Sequence, residues 1–321
     1  MTILGGISGL QQRAKRIELA SRRLVDEQLA GQYQSLFKGR GVIFSDVRPY
    51  YPGDDVRAID WNVSARMNAA HVKQFVEERD RTVNIVIDLS ASNAWGSTAL
   101  SKREVAAELA AVVAFAAIKN HDRVGLYLVT DRVELFVPPK KGRRHVMRLV
   151  AEILTFTPKH RGSALAVGFE TLNKLCPRRS VVMVVSDFLG EAPTARTPRF
   201  GTSASAAAGA VAPPWETALR ITAQRHDVIA AVVTDRVEQA LPAVGLMAME
   251  DLETGAVELV DTNAVGAAYR QRALLWAQLR DASLRRSGAD TVTIRTDQEY
   301  LGALVRFFRE RAEAKARGGR R

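Results

Sequence analysis

The sequence predicts a mixed α/β fold in which a mostly parallel β-sheet is covered by helices on both faces. Short apolar runs rich in β-branched residues occur at 83–90, 180–188 and 228–234. Such runs are typical of strands that are buried on both faces of a sheet. Segments with the helical spacing of apolar residues lie between these runs, and strands that alternate with helices indicate a parallel sheet between two helical layers.

The individual elements can be placed in order along the chain. An amphipathic helix is expected over about residues 8–33, followed by turns and short strands over 31–82. Ser101 and Glu104 resemble a capping box, which predicts a helix over 101–120. Beyond it, strands are predicted at 124–130, 133–138, 180–188, 228–234 and 291–296, helices at 145–156, 164–176, 215–226, 264–286 and from Glu299, and a hairpin at 247–260 that turns at Thr254 and Gly255.

These elements indicate two regions of unequal size. Residues 1–82 form a helix and a strand/turn region, and residues 83–321 form the α/β domain. Within the second region, residues 190–214 are low in large apolar side chains and rich in Ala, Ser, Thr, Gly and Pro. Such composition predicts a mobile insertion loop rather than a further element of the sheet.

Composition excludes several classes of protein. Hydrophobic residues make up 47% of the chain, which is enough for a core and argues against a wholly disordered protein. Cys176 is the single cysteine, so neither an internal disulfide nor a paired-cysteine zinc site can form. The apolar stretch at 105–118 is shorter than the roughly 20 residues that span a bilayer. The first residues lack the pattern of a secretory signal, so we expect a cytoplasmic protein.

Oxygen-bearing side chains are placed where two predicted strands end. Asp88, Ser90 and Ser92 follow the first core strand at alternate positions, Asp187 ends the strand at 180–188, and Ser163 opens the preceding helix. Open α/β sheets bind ligands at the carboxyl edge, and hard cations such as Mg²⁺ prefer oxygen ligands. The sequence therefore predicts a metal site here. The alternative interpretation is that these residues only terminate strands and cap helices.

The segment DLSAS at 88–92 resembles the Asp-x-Ser-x-Ser signature of von Willebrand factor A domains, which share this alternation of strands and helices. The resemblance implies a metal-ion-dependent adhesion site for Mg²⁺, Mn²⁺ or Ca²⁺. In such domains a threonine from a later loop and an aspartate after the fourth strand complete the metal shell, and a partner's carboxylate fills an open position. Ser163 would replace the threonine, and Asp187 would be the aspartate.

The pattern YPGDD-x-R-x-IDW-x-x-SAR at 51–66, followed by K-x-F and EER, resembles the bacterial family catalogued as domain of unknown function number 58. The similarity extends over nearly the whole chain. Members of that family are often encoded beside MoxR-type AAA+ ATPases and other von Willebrand A proteins. The resemblance therefore implies a non-catalytic partner in the assembly or activation of protein complexes.

The same segment is dense in opposite charges and aromatic residues. Pro52 and Gly53 suit the centre of a tight turn. The charges could form either a structural network or a binding surface, and we expect the network, with Tyr50, Tyr51 and Trp61 as apolar anchors that tie this region to the α/β domain. The charged residues are Arg48, Asp54, Asp55, Arg57, Asp60, Arg66, Lys73, Glu78 and Arg79.

Two other functions remain open from the sequence. An aspartate that ends a buried strand can act as the nucleophile of a magnesium-dependent phosphohydrolase. However, Ser90 stands where such enzymes carry a second acid, and no lysine is evident near Asp187. The net charge of +11 allows nucleic-acid binding through the basic termini, but these lack interleaved aromatic residues. The chain has no phosphate-binding loop of the P-loop type, so we do not expect it to hydrolyse ATP.

Overall fold

The computed structural model describes residues 7–26, 42–77, 81–189, 212–252 and 255–318. Most of the insertion loop predicted at 190–214 lies outside the described residues, so the loop stays a prediction. Three other residues named above, Glu78, Arg79 and Thr254, also lie outside them.

A six-stranded sheet forms the centre of the α/β region. Its strands are β3 (Thr82–Asp88), β4 (Arg123–Val129), β5 (Val133–Lys140), β6 (Val181–Ser186), β7 (Asp227–Thr234) and β10 (Asp290–Arg295). Their order across the sheet is β10-β7-β6-β3-β4-β5. Five strands are parallel, whereas β5 pairs antiparallel with β4 at one edge and carries Pro138 and Pro139.

Helices cover both faces of this sheet. The helices of the α/β region are α3 (Lys102–Lys119), α4 (Arg143–Thr155), α5 (Leu165–Leu175), α6 (Pro214–Arg225), α7 (Arg236–Gln239), α8 (Thr262–Ser287) and α9 (Leu301–Gly318). Apolar residues of α3, α4 and α9 form one core, and those of α5, α6 and α8 form a second core on the opposite face. The predicted mixed α/β class, with a mostly parallel sheet between helical layers, is confirmed.

Strand β3 shows how the sequence builds the two cores. Consecutive side chains of a strand point to opposite faces. Val83, Ile85 and Ile87 pack into the first core, whereas Val86 packs into the second, and all four are completely buried. The near-continuous apolar run is therefore the mark of a strand with no solvent-facing side.

The capping box at the start of α3 is also confirmed. The Ser101 hydroxyl accepts a hydrogen bond from the Glu104 backbone N–H, and the Glu104 carboxylate accepts one from the Ser101 backbone N–H. These bonds satisfy two donors that a helix start would otherwise leave without partners. They also fix Lys102 as the first residue of the helix.

The first described element, α1 (Ile7–Leu24), packs against α3 and α4 through buried residues such as Ala14 and Ile17. A second small sheet follows, in which β1 (Val42–Pro49) and β2 (His71–Glu77) pair antiparallel. The other two-stranded sheet, β8 (Leu246–Glu250) with β9 (Val257–Asp261), is the predicted hairpin.

The connection between β1 and β2 differs in part from the expected turns and short strands. Gly53 has φ +109°, in agreement with the predicted turn. A short helix, α2 (Trp61–Met67), was not predicted. It forms because the Asp60 carboxylate accepts hydrogen bonds from the backbone N–H groups of Asn62 and Val63, which caps the helix start.

Part of the predicted charge network forms within this small region, among the residues that the structure describes. Arg48 donates two hydrogen bonds to the Asp54 carboxylate, at 2.6 and 2.7 Å, and Lys73 lies 3.7 Å from Asp60. The prediction that Tyr51 and Trp61 are buried anchors is wrong, because 62% of Tyr51 and 68% of Trp61 is exposed. Both residues therefore lie mostly at the surface, where the Arg48 guanidinium is 5.7 Å from the centre of the Tyr51 ring.

Within the described residues, every helix falls short of the length and apolar character that a bilayer-crossing segment requires.

Candidate metal centre

Four of the five predicted ligands come from the ends of two neighbouring strands. Strands β3 and β6 are adjacent and parallel, with Ile87 opposite Val185. Asp88 at the end of β3 therefore lies beside the end of β6, and Asp187 follows directly. Both carboxylates are almost fully buried, at 3% and 1% exposure, so this edge holds two acidic groups out of contact with bulk water.

The Asp88 carboxylate is held by three donors. One oxygen, Oδ1, accepts a hydrogen bond from the Ser90 backbone N–H at 2.9 Å. The other, Oδ2, accepts one from the Ser186 hydroxyl at 2.6 Å and lies 3.5 Å from the Ser163 hydroxyl. Ser163 is thus brought to the same carboxylate as the other predicted ligands. Ser186 was not singled out from the sequence, because it lies within the strand predicted at 180–188.

The two serines of DLSAS connect the carboxylates. The Ser90 and Ser92 hydroxyl oxygens are 3.3 Å apart, and Ser92 donates to Asp187 Oδ2 at 3.0 Å. The Asn93 side-chain amide donates to the Ser90 hydroxyl at 3.1 Å. The alternate spacing of the motif therefore places its hydroxyls in one connected group, as the sequence predicts.

A residue that the sequence reasoning missed lies at the centre of this group. Lys102 is completely buried, and its Nζ donates to Asp187 Oδ2 at 2.8 Å. It also forms an ion pair with Glu238 of α7. The expectation that no lysine lies near Asp187 is wrong, because Lys102 approaches from a helix 85 residues earlier in the chain.

The charges of the site act on one another strongly. Burial and the neighbouring charge of Asp187 raise the pKa of Asp88 to about 6. Burial opposes ionisation of Asp187 as well, but the charge and hydrogen bond of Lys102 outweigh it and lower the Asp187 pKa. Burial raises the pKa of Glu238 despite the opposing effect of Lys102. The least compensated charge of the site is therefore on Asp88.

The donor set fits a small hard cation. Among the described residues, Asp88 has hydroxyl and amide donors but forms no ion pair, so a cation beside it would offset its burial and its repulsion from Asp187. No cluster of three or more His, Cys, Asp or Glu side chains arranged for metal binding occurs in the described part of the chain. A metal here would thus depend on the hydroxyls of Ser90, Ser92 and Ser163 as much as on carboxylates. Oxygen ligands of this mixed kind suit Mg²⁺.

A cleft of about 300 Å³ lies beside the DLSAS loop. Leu89 and Ala91 line it together with Asn93, whose side-chain amide donates to the hydroxyl of the predicted ligand Ser90. His160 and Arg161 contribute basic groups, and the tip of the β8–β9 hairpin contributes Glu250. The Ala91 backbone N–H donates to the Arg161 carbonyl at 3.0 Å, which joins the two walls.

Comparison with known proteins places the chain in a family. The chain belongs to the family described as protein of unknown function DUF58, whose sequence model matches residues 46–275. The uncharacterized protein Rv1480 of Mycobacterium tuberculosis is 30% identical over 307 residues, which cover 95% of this chain and 90% of that protein.

Two solved structures were also compared with the fold. BatB from Bacteroides thetaiotaomicron is 14% identical, with a TM-score of 0.45, and the match covers 73% of this chain and 99% of that chain. The SpRpn10 VWA domain is 12% identical, with a TM-score of 0.34, and the match covers 70% and 93% respectively.

Proposed function

We propose that this protein is a non-catalytic interaction module that binds a partner protein through a divalent cation. Mg²⁺ is the expected ion, with Mn²⁺ and Ca²⁺ as alternatives. Asp88, Ser90 and Ser92 would hold it together with Ser163 and Asp187, and a carboxylate of the partner would complete its shell. The observation that carries this proposal is the convergence of two buried carboxylates and a connected set of serine hydroxyls at the carboxyl edge of the sheet.

The partner class follows from the family resemblance and from the surface beside the site. We propose a MoxR-type AAA+ ATPase as the partner, in the assembly or activation of protein complexes, and a cytoplasmic location where ATP is available to that partner. His160 and Arg161 in the adjacent cleft would favour an acidic segment whose carboxylate reaches the metal. The exposed rings of Tyr51 and Trp61 offer a second contact surface, since exposed aromatic residues often dominate binding energy.

The magnesium-dependent phosphohydrolase remains a second candidate because of Lys102. A lysine beside the second aspartate removes one of the sequence arguments against it. Two observations favour the interaction module instead. Asp88, which would be the nucleophile, is 3% exposed and its Oδ2 accepts a hydrogen bond from Ser186 at 2.6 Å. Lys102 is directed to Asp187 and Glu238, so its charge is already compensated.

The proposal is tested by affinity capture of the tagged protein from its own cell lysate, with Mg²⁺ or with chelator. Asp88→Ala is the test variant, and Asp26→Ala is the matched control because Asp26 is an exposed carboxylate paired with Lys119. We expect an AAA+ ATPase to be retained only with Mg²⁺ and an intact Asp88, and equally by the control. Capture that is unchanged by chelator and by a folded Asp88→Ala variant would contradict the proposal.

The enzymatic alternative needs a separate measurement. Hydrolysis of a phosphate ester is measured with purified protein and Mg²⁺, and compared with an Asp88→Asn variant. We expect the two rates to be equal and close to the rate without protein. A rate that is well above background and that is lost in Asp88→Asn would establish the phosphohydrolase instead.

A further inference from the structure

Lys102 has an environment that its own helix does not explain. It is the first residue of α3, where the partial positive charge of the helix start disfavours a cation. It is also fully buried, and burial of an ammonium group is costly unless it is paired. The ion pairs of its ammonium group must therefore offset both of these costs.

The Lys102 ammonium contacts two carboxylates, that of the predicted metal ligand Asp187 and that of Glu238. Asp187 Oδ2 accepts hydrogen bonds from Lys102 at 2.8 Å and from Ser92 at 3.0 Å, and Asp187 Oδ1 accepts one from the Leu189 backbone N–H at 3.0 Å. These three donors fix the carboxylate in one orientation. Glu238 holds the ammonium from the other side and accepts a hydrogen bond from the Asp235 backbone N–H at 2.9 Å.

The formal charge of this cluster matches one kind of cation. When ionised, Asp88, Asp187 and Glu238 contribute three negative charges, and Lys102 contributes one positive charge. The cluster without a metal then carries a formal charge of −2, which a divalent cation neutralises. Without the lysine it would carry −3, which matches a trivalent cation better.

We propose that Lys102 is a positioning residue that sets the charge selectivity of the metal site, and that Glu238 holds it in place. The inference rests on the proposed metal site, and it concerns how the charge of Lys102 controls which ions that site binds. Lys102 orients Asp187 before any metal binds, and its charge weakens the binding of a trivalent ion more than that of a divalent ion. This follows because the repulsion between Lys102 and the metal ion grows with the charge of the ion.

The test compares Mg²⁺ and La³⁺ binding by isothermal titration calorimetry in three variants. Lys102→Met removes the positive charge, and Glu238→Gln removes one negative charge. Lys119→Met is the matched control, since Lys119 ends the same helix and pairs with the exposed Asp26. The measured quantity is the ratio of the La³⁺ affinity to the Mg²⁺ affinity, because a general loss of structure weakens both ions and does not select by charge.

We expect Lys102→Met to shift this ratio toward La³⁺ by roughly tenfold and Glu238→Gln to shift it toward Mg²⁺ by a similar factor, from the interaction of one added or removed charge a few ångströms away. Lys119→Met should leave it unchanged. If Lys102→Met does not fold, as judged by circular dichroism, the shift in Glu238→Gln decides the matter. The inference would be overturned if the affinity ratio of the folded variants stayed within twofold of the wild-type ratio. It would also be overturned if Lys102→Met and Glu238→Gln shifted the ratio in the same direction.

Failure of the underlying metal site gives a different result. A wild-type protein that binds neither Mg²⁺ nor La³⁺ overturns the proposed function together with this inference. Binding of both ions with an unaltered ratio in the variants overturns the role of Lys102 alone.

Discussion

The two buried aspartates of the site should respond to the same substitution in opposite directions. Both are predicted metal ligands, but Asp187 is paired with Lys102, whereas Asp88 is buried beside a like charge. Asp88→Asn removes that unfavourable charge and should stabilise the metal-free protein above pH 7. Asp187→Asn leaves the Lys102 ammonium with Glu238 as its remaining partner and should destabilise it.

The magnitude for Asp88 follows from its pKa. A rise from 3.8 to about 6 means that the ionised carboxylate destabilises the folded state by about 3 kcal/mol at pH 8. Because the folded pKa is the raised one, this penalty is absent at low pH and develops as the pH rises toward and through about 6. The asparagine side chain has one acceptor oxygen in place of two, so it can keep only one of the hydrogen bonds from the Ser90 backbone N–H and the Ser186 hydroxyl, which offsets about 1 kcal/mol. The net gain for Asp88→Asn is therefore about 1–2 kcal/mol.

The magnitude for Asp187 comes from breaking a buried ion pair, which typically costs about 3–5 kcal/mol. Glu238 remains as a partner of Lys102, so the loss should lie near the lower end of that range. In saturating Mg²⁺ the wild type should gain stability, by about 2.7 kcal/mol when the ion is at a hundredfold excess over its Kd. Neither variant should gain as much, since each lacks a predicted ligand.

The assay is urea denaturation in chelator at pH 8 and pH 5, followed by circular dichroism, and then repeated with Mg²⁺. We expect Asp88→Asn to be more stable than wild type at pH 8 in chelator, with a smaller difference at pH 5. The order of these two proteins should reverse when Mg²⁺ is added. A variant Asp88→Asn that is less stable than wild type at pH 8 in chelator would refute the reasoning from like-charge repulsion.

Three further predictions concern other parts of the chain. Burial, and to a lesser extent the charge of Glu104, raises the pKa of Glu108 to about 7, so the ionised carboxylate destabilises the folded protein above that pH. Glu108→Gln should therefore raise the Tm at pH 8, with a gain in stability of about 1 kcal/mol after solvent screening, and should have little effect at pH 5. Gly96→Ala would place its Cβ 2.7 Å from the Leu100 carbonyl oxygen and should lower the free energy of unfolding in urea by about 1–3 kcal/mol. Trp61→Ser should change the free energy of unfolding by no more than about 0.5 kcal/mol, yet reduce the amount of partner captured. A variant that loses stability as well as partner capture would contradict a surface role.

Much of the fold could be predicted because its elements are locally specified. The run at 83–88 is rich in β-branched apolar residues, and Ser101 with Glu104 marks the start of α3 within four residues of sequence. Short helix α2 was missed because its cap, Asp60, lies in a segment that otherwise reads as turns. Local patterns therefore fixed the sheet and its helices better than the irregular region that precedes them.

The candidate site was predictable only where its residues are neighbours in sequence. The spacing of Asp88, Ser90 and Ser92 places them at one strand end, and the parallel sheet brings Asp187 beside them. Lys102 could not be assigned, because a charged residue in the first turn of a helix reads as solvent-exposed. Its burial depends on Glu238, which is distant in sequence and reaches the lysine only through the folded sheet.

The exposure of Tyr51 and Trp61 was missed for a related reason. Aromatic residues among charges predict buried anchors on average, since large apolar side chains are usually covered. Whether they are covered depends on which surface lies opposite, and that is a property of the folded chain.

The two consecutive prolines of β5 limit how another protein can approach the sheet. Successive residues of a strand direct their backbone N–H groups to opposite sides. Pro138 and Pro139 together therefore remove one donor from the ladder with β4, whose register is irregular there, and one from the edge that pairs with no other strand of the described residues. An extended peptide, or the edge of a second copy, cannot add itself to β5 as a continuous new strand. The prolines of β5 therefore oppose edge-to-edge association of sheets at this strand.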